Sequence, residues 1–245
     1  MLTLNQLHPR NPRTGVVATV AYAYPRQGRH LRANMVTSVD GAAVLEGRVR
    51  SLSGPADQQL LLLLRSLCDV LLVGAGTVRA EGYGPVRAQS AMVDLRRALG
   101  QLPHPRLAVL TRRLDLDLGS AAFSKAPEAP IVITTELADQ ERVRSAERVA
   151  EVLVAGETSV DLGVALDLLE QRGLPRMLSE GGPHALADLY AADLVDELCW
   201  AISPLVVAGQ EPRLAAGPPM PEPLGVRLET VMESDGFLFL RYLRP

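Results

Sequence analysis

Residues 69–79 read Asp69-Val70-Leu71-Leu72-Val73-Gly74-Ala75-Gly76-Thr77-Val78-Arg79. An apolar run with no alternation is the mark of a strand covered on both faces, and such strands belong to parallel sheets flanked by helices. The run ends on two glycines and a threonine, a residue type that opens helices. This one stretch therefore specifies strand, tight turn and helix, the repeating unit of an α/β fold.

The same alternation extends outward. Upstream lie a strand over Leu31 to Thr37 and a leucine-rich helix over Asp57 to Ser66, opened by the turn Ser53-Gly54-Pro55. Downstream, strands are expected at Arg106 to Thr111, Ile131 to Thr135, Ala150 to Ala155, Met177 to Ser179 and Leu194 to Ser203. Helices are expected at Asp139 to Arg148, Asp161 to Arg172 and Pro183 to Ala191. The end of the chain differs: Val226 to Met232 and Phe237 to Leu243 alternate and are joined by Glu-Ser-Asp-Gly, a hairpin signal. The expected architecture is α/β, with a mixed, mostly parallel central sheet, helices on both faces and a C-terminal antiparallel hairpin. Residues 1–30 lack sustained periodicity and read as an N-terminal arm, with Gly15 to Ala23 a short strand at most; 31–245 read as one domain.

Composition narrows the function classes. The 245 residues are 47% hydrophobic and 22% charged, with a formal net charge of -3, which fits a globular core and neither a basic nucleic-acid binder nor an acidic disordered chain. Arg10, Arg13 and the prolines among residues 1–30 do not make a signal-peptide pattern, and no apolar run is long enough to span a bilayer. A cytoplasmic protein without membrane or nucleic-acid partners is expected. Cys68 and Cys199 sit in apolar runs and read as small buried hydrophobes. Two cysteines 131 residues apart, with no H-x-E and P-C-x-x-C pair, leave no zinc-deaminase site, so no metal is expected. Lys125, the only lysine, lies in a polar loop unsuited to Schiff-base chemistry.

Three segments carry candidate chemistry. Gly74-Ala75-Gly76-Thr77 turns backbone N–H groups toward one spot, which suits a phosphate, although close strand–helix packing explains the glycines equally well. Ser179-Glu180-Gly181-Gly182-Pro183-His184 repeats the device, with proline at the start of a helix. Two such turns at neighbouring strand ends would form a crevice for a dinucleotide, with Glu180 at its mouth; alone, Glu180 is an ordinary loop acid. Asn34 to Gly41 places Asp40 after an apolar strand, either as a common Asp-Gly turn or as an acid that relays a proton.

Together, N-x-x-x-S-x-D-G, G-x-G-T-V and S-E-G-G-P, in this order and at these strand ends, resemble the reductase (C-terminal) domain of the bifunctional riboflavin-biosynthesis deaminase-reductase. That domain belongs to the dihydrofolate-reductase-like superfamily. The resemblance covers roughly 31–244 and includes stand-alone pyrimidine reductases. It implies an NADPH-dependent reduction of the ribosyl group of 5-amino-6-(5-phosphoribosylamino)uracil, or of a related phosphorylated pyrimidine, to ribityl. It further implies that Gly74, Gly76, Thr77, Val78, Glu81, Gly181, Gly182, Pro183 and Leu186 hold the cofactor. Thr111 and Arg112 end the strand expected at the adenosine 2′-phosphate, where a guanidinium fork suits a dianion. Asn34, Ser38, Asp40, Ser53, Arg87 and Glu180 fall at the substrate, with Arg87 on its phosphate. Relatives pair as homodimers.

The reaction asks for a hydride from the nicotinamide and a proton for the imine nitrogen of the ring-opened sugar. Asp40 and Glu180 are the two candidates for that proton. In relatives the helix after Ser53-Gly54-Pro55 often presents a basic residue to the substrate phosphate; here Asp57-Gln58-Gln59 stands, so one phosphate contact is in question. A dihydrofolate or pterin reductase, with a pterin-like substrate, and a non-catalytic NADPH-binding regulator are the alternatives. The absence of a G-x-S-x-G elbow disfavours a serine hydrolase.

Overall fold

A computed structural model describes residues 4–8 and 15–245; Arg10 and Arg13 lie outside them. In chain order the elements are β1 (Asn5–His8), α1 (Ala18–Ala21), β2 (His30–Ser38), α2 (Pro55–Leu67), β3 (Val70–Gly74), α3 (Ala75–Glu81), α4 (Val93–Ala98), β4 (Arg106–Leu110), α5 (Ala121–Ser124), β5 (Ile131–Thr134), α6 (Gln140–Ala146), β6 (Glu151–Val154), α7 (Leu162–Gln171), β7 (Arg176–Ser179), α8 (Pro183–Ala191), β8 (Glu197–Ser203), β9 (Arg227–Ser234) and β10 (Phe237–Leu243). One ten-stranded sheet runs in the order β1-β9-β10-β8-β2-β7-β3-β4-β5-β6. The pairings from β8 through β6 are parallel, while β9 and β10 add antiparallel partners. The mixed α/β architecture expected from the sequence is the one observed.

Alternate residues of the central strands feed two cores. Leu71 and Val73 of β3 pack with Leu60, Leu63, Leu64 and Leu67 of α2, whereas Val70 and Leu72 pack with Leu166 and Leu169 of α7 and Leu186 and Leu189 of α8. The strand reads as an unbroken apolar run because both its faces are covered. Cys68 and Cys199 are buried free thiols in the first core, as expected, and burial pushes Cys68 up to about 12.

The N-terminal segment departs from expectation. Asn5–His8 forms β1 at the sheet edge beside β9, with Asn5 Nδ2 donating to Glu233 at 3.2 Å. The stretch Gly15 to Ala23 does not form a strand. It turns through α1 and buries Tyr22 in the core.

A buried ion network joins β2, β8 and β10. Glu197 is 1% exposed and accepts from Arg32 Nη2 at 2.8 Å, Arg241 Nε at 2.7 Å and His30 Nε2 at 2.9 Å. Arg32 is fully buried with its guanidinium 4.1 Å from the centroid of the Tyr24 ring, so its remaining N–H groups face a π cloud instead of water. Burial alone would raise the Glu197 carboxyl, but Arg32, His30 and Arg241 outweigh it and hold it well below the usual range. Its stabilising effect is therefore present above the ordinary carboxylate range and lost as pH falls through the depressed native value. Replacing Glu197 by Gln leaves the buried Arg32 and the half-buried Arg241 without their anion, which should cost about 3–5 kcal/mol. Urea unfolding at neutral pH measures this; a loss below about 1 kcal/mol would mean that the cations find other partners.

Candidate active site

The site arises from unequal strand lengths. β2 pairs with β7 only from His30 to Ala33, while Asn34 to Ser38 continue with β8 alone as neighbour. On the other side β3 pairs with β7 through Leu72 and then continues beside β4. Because β7 stops at Ser179, a notch opens between β2 and β3 above its end. α2, α3 and the turn before α8 wall that notch into a cavity of about 390 Å³, lined on the strand side by Asn34, Met35 and Val36.

Glu180, the first residue after β7, is the most heavily bonded group in the cavity. Arg65 of α2 donates to it through Nε at 2.7 Å and Nη2 at 2.5 Å, and the Tyr83 hydroxyl donates to Oε2 at 2.8 Å. The guanidinium also lies 5.4 Å from the Tyr83 ring centroid. Burial and the adjacent Glu180 charge push the Tyr83 phenol up, so it stays a neutral donor. A second acid stands one wall away: Asp57, in the first turn of α2, accepts the Ser53 hydroxyl at 2.5 Å. Its carboxyl is shifted upward, chiefly by burial and further by Glu180, with the Ser53 hydrogen bond opposing.

Both glycine turns reach this cavity from opposite sides. A side-chain carbon built on Gly182 would come within 3.7 Å of Thr77 Oγ1, so the two turns face each other. One on Gly181 would meet Ala185 Cβ at 2.6 Å, leaving room only for hydrogen, whereas Gly74 and Gly76 have open space where theirs would be. Pro183 opens α8 at its first helical position and no side chain caps that end, so N–H groups of its first turn point out of the helix toward the cleft. Backbone kept bare on one side and helix N–H groups on the other suit a dinucleotide pyrophosphate.

The expected site residues divide. Asn34, Ser53, Thr77, Glu81, Glu180, Gly181, Gly182 and Pro183 line the cavity, and Gly74 and Gly76 lie at the strand end beside it. Glu81 has another task as well: Oε1 accepts the Val49 N–H at 3.2 Å and pins the loop between β2 and α2. Val78 and Leu186 are core residues. Ser38 is buried and bonds Asp40 and the Ala42 N–H. Asp40 does not line the cavity, which corrects the expectation that it hands over a proton. It is exposed and accepts the Val207 and Ala208 N–H groups at 3.1 and 2.7 Å. The Ser38 hydroxyl and these amides hold its carboxyl down to about 2, so it is an ionised loop anchor. Arg87 is likewise elsewhere, exposed and donating to the Lys125 carbonyl. Thr111 is buried and accepts the Leu114 N–H at 3.0 Å, and Arg112 is exposed just beyond β4, outside the cavity.

Sequence reasoning missed Arg65, Arg50 and the place of Asp57 and Gln58, all of which line the cavity. The signal was present: Asp57, Leu61 and Arg65 recur every fourth residue, putting both charges on one face of a leucine helix.

The sequence model of the RibD C-terminal domain matches residues 29–235. Two curated relatives carry the name 2,5-diamino-6-ribosylamino-4(3H)-pyrimidinone 5′-phosphate reductase. The one from Archaeoglobus fulgidus is 30% identical over 73% of this chain and 81% of its own length; the one from Methanothermobacter thermautotrophicus is 31% identical over 74% and 80%. Among solved structures, a pyrimidine reductase-like protein from Corynebacterium diphtheriae superposes with a TM-score of 0.83 at 31% identity, over 92% of this chain and 97% of that one.

The glycine geometry predicts unequal responses to one added methyl group. Gly181→Ala overpacks the start of α8 and should cost about 1–3 kcal/mol, while Gly74→Ala enters open space and should cost less than about 1 kcal/mol. Thermal unfolding of the two variants checks this; equal midpoints would contradict the close approach at Gly181.

Proposed function

The chain belongs to the RibD C-terminal domain family, and on that premise we propose that it reduces the ribosyl group of a 6-ribosylaminopyrimidine 5′-phosphate to ribityl at the expense of NADPH. The observation that carries this reading is the notch itself. It sets a carboxylate clamped by Arg65 and Tyr83 beside the facing Thr77 and Gly182 turns, a polar pocket for a ring next to a bare-backbone cradle for a dinucleotide.

The residues fit that cofactor. Gly74, Gly76 and Thr77 on one side and Gly181, Gly182 and the start of α8 on the other would hold its pyrophosphate and nicotinamide half. Arg112 would supply the guanidinium for the 2′-phosphate that distinguishes NADPH from NADH. When bound, the nicotinamide supplies the hydride. The protein's part is to align the sugar carbon and exclude water, with Glu180, Arg65 and Tyr83 fixing the polar groups of the ring.

The cavity acids choose among pyrimidines. Glu81 and Glu180 line it, and carboxylates pair with N–H donors. A 2-amino-4-oxo ring edge offers more donors than a uracil edge, which favours the 2,5-diaminopyrimidinone over the uracil expected from the sequence. Arg50, exposed on the cavity wall, takes over the role foreseen for Arg87 and pairs with the 5′-phosphate.

NADPH oxidation followed with each pyrimidine and with dihydrofolate tests the reading. The diaminopyrimidinone should turn over fastest, Arg50→Ala should raise the pyrimidine KM at nearly constant kcat, and Arg112→Ala should raise the NADPH KM with little effect on NADH. Turnover of dihydrofolate alone would replace the substrate class, and cofactor binding without any turnover would make the chain a regulator.

The reading includes a cytoplasmic homodimer. On the face of β8, β10 and β9 away from the first core, Trp200, Ile202, Leu238, Leu240 and Val231 form a half-buried apolar row. A second copy would cover it. Among the described residues no helix is long and apolar enough to cross a membrane. Sedimentation of the purified chain at twice the monomer mass, and recovery of the protein in the soluble cell fraction, are the expected results.

A further inference from the structure

We propose that Asp57 is the proton donor of the reduction. The inference rests on the proposed pyrimidine reductase reading of the cavity and assigns the one role that reading leaves open.

The cavity acids have different surroundings. Glu180 has both oxygens engaged, by the Arg65 guanidinium and the Tyr83 hydroxyl. Glu81 is engaged by the Val49 N–H. Asp40 is outside and ionised. Asp57 is 5% exposed, lines the cavity and, among the described residues, has a hydroxyl and no cation as its partner. The charged or titratable groups facing the same cavity are Arg50 from the preceding loop, Arg65 from its own helix, Glu81 from α3, Tyr83 after α3 and Glu180 after β7. Arg65, the cation nearest in the helix repeat, is committed to Glu180. A buried carboxyl beside an anion, with no cation of its own, favours its neutral form, and a neutral carboxyl can donate. The upward shift of its carboxyl agrees with this placement.

The step balances with groups already named. In the ring-opened substrate the sugar carbon is double-bonded to the exocyclic nitrogen. The π bond breaks as that carbon takes the hydride supplied by the reduced nicotinamide, and the nitrogen takes the proton leaving the Asp57 carboxyl. The Ser53 hydroxyl then donates to the new carboxylate, and a solvent proton restores the acid once product leaves. Ser53 is thus a positioning residue, holding Asp57 and stabilising its charged form.

The test combines titration with turnover. In protein labelled with carboxyl-13C aspartate, one resonance should titrate above the ordinary carboxylate range and vanish in Asp57→Asn. That variant should lose on the order of a hundredfold or more in kcat and lose the alkaline limb of the kcat profile. Its NADPH Kd, read by fluorescence, should be unchanged, and Asp57→Glu should restore part of the rate. If every aspartate titrates in the ordinary range, the donor role fails whatever the activity. If Asp57→Asn keeps the wild-type kcat and its alkaline limb, the role fails while the substrate reading stands. If the wild-type protein binds NADPH yet reduces neither pyrimidine, the reading of the site fails and the donor role with it.

Discussion

One buried carboxylate fixes how the two halves of this sheet meet. Glu197 stands opposite Arg32 in the parallel pairing of β8 with β2, and the same carboxylate takes Arg241 from the antiparallel strand β10. A slip of one residue would turn every side chain of a strand to the wrong face, and here it would also bury an unmatched charge. Register is therefore enforced twice, by apolar alternation and by charge. With β2 held in this register, Asn34 and Val36 arrive where β7 has already ended.

The cavity is a consequence of that register more than of any single motif. A sheet whose neighbouring strands end together has a flat upper edge, and ligands then sit above it among loops. Here the centre of the sheet is missing over the last residues of β2, so the site is sunk into the sheet with strand on one side and helix on the other. Charges tolerated at such depth must be paired. Arg65 and Glu180 come from elements 115 residues apart in the chain and neutralise each other within the wall. Their bidentate geometry offsets part of the cost of burying both charges.

Much of this was legible in the sequence. The strand–glycine–helix units at Gly74 and Gly181 were placed correctly because their periodicity is local, and at Gly181 the glycine also answers a local steric demand. Asp40 was misread for the opposite reason. An Asp-Gly turn after a strand looks alike whether it faces a ligand or a loop, and Val207 and Ala208, which settle the matter, lie far along the chain. Arg87 failed similarly, since its position in the motif says nothing about the direction of an exposed side chain. Asp57 looked like a lost phosphate contact; its side chain instead forms part of the cavity wall, which only the packing of α2 against the notch reveals. The edge strand β1 was hidden because an exposed two-sided edge needs no strong alternation.

The acids of this protein are sorted by their surroundings and not by their residue type. Asp40 is held ionised by two amides and a hydroxyl, Glu197 by three cationic or donor side chains, and Glu180 is neutralised by an arginine fork. The donors around each of these carboxylates hold it in place, so each is suited to anchoring. Asp57 combines burial with, among the described residues, a hydroxyl and no cation as its partner, and that hydroxyl accommodates either state by rotating. A group that exchanges protons must be comfortable in both forms. In this fold Glu180 takes both hydrogen bonds of the Arg65 fork, and its own charge acts with burial to favour the neutral form of Asp57 against the Ser53 hydrogen bond.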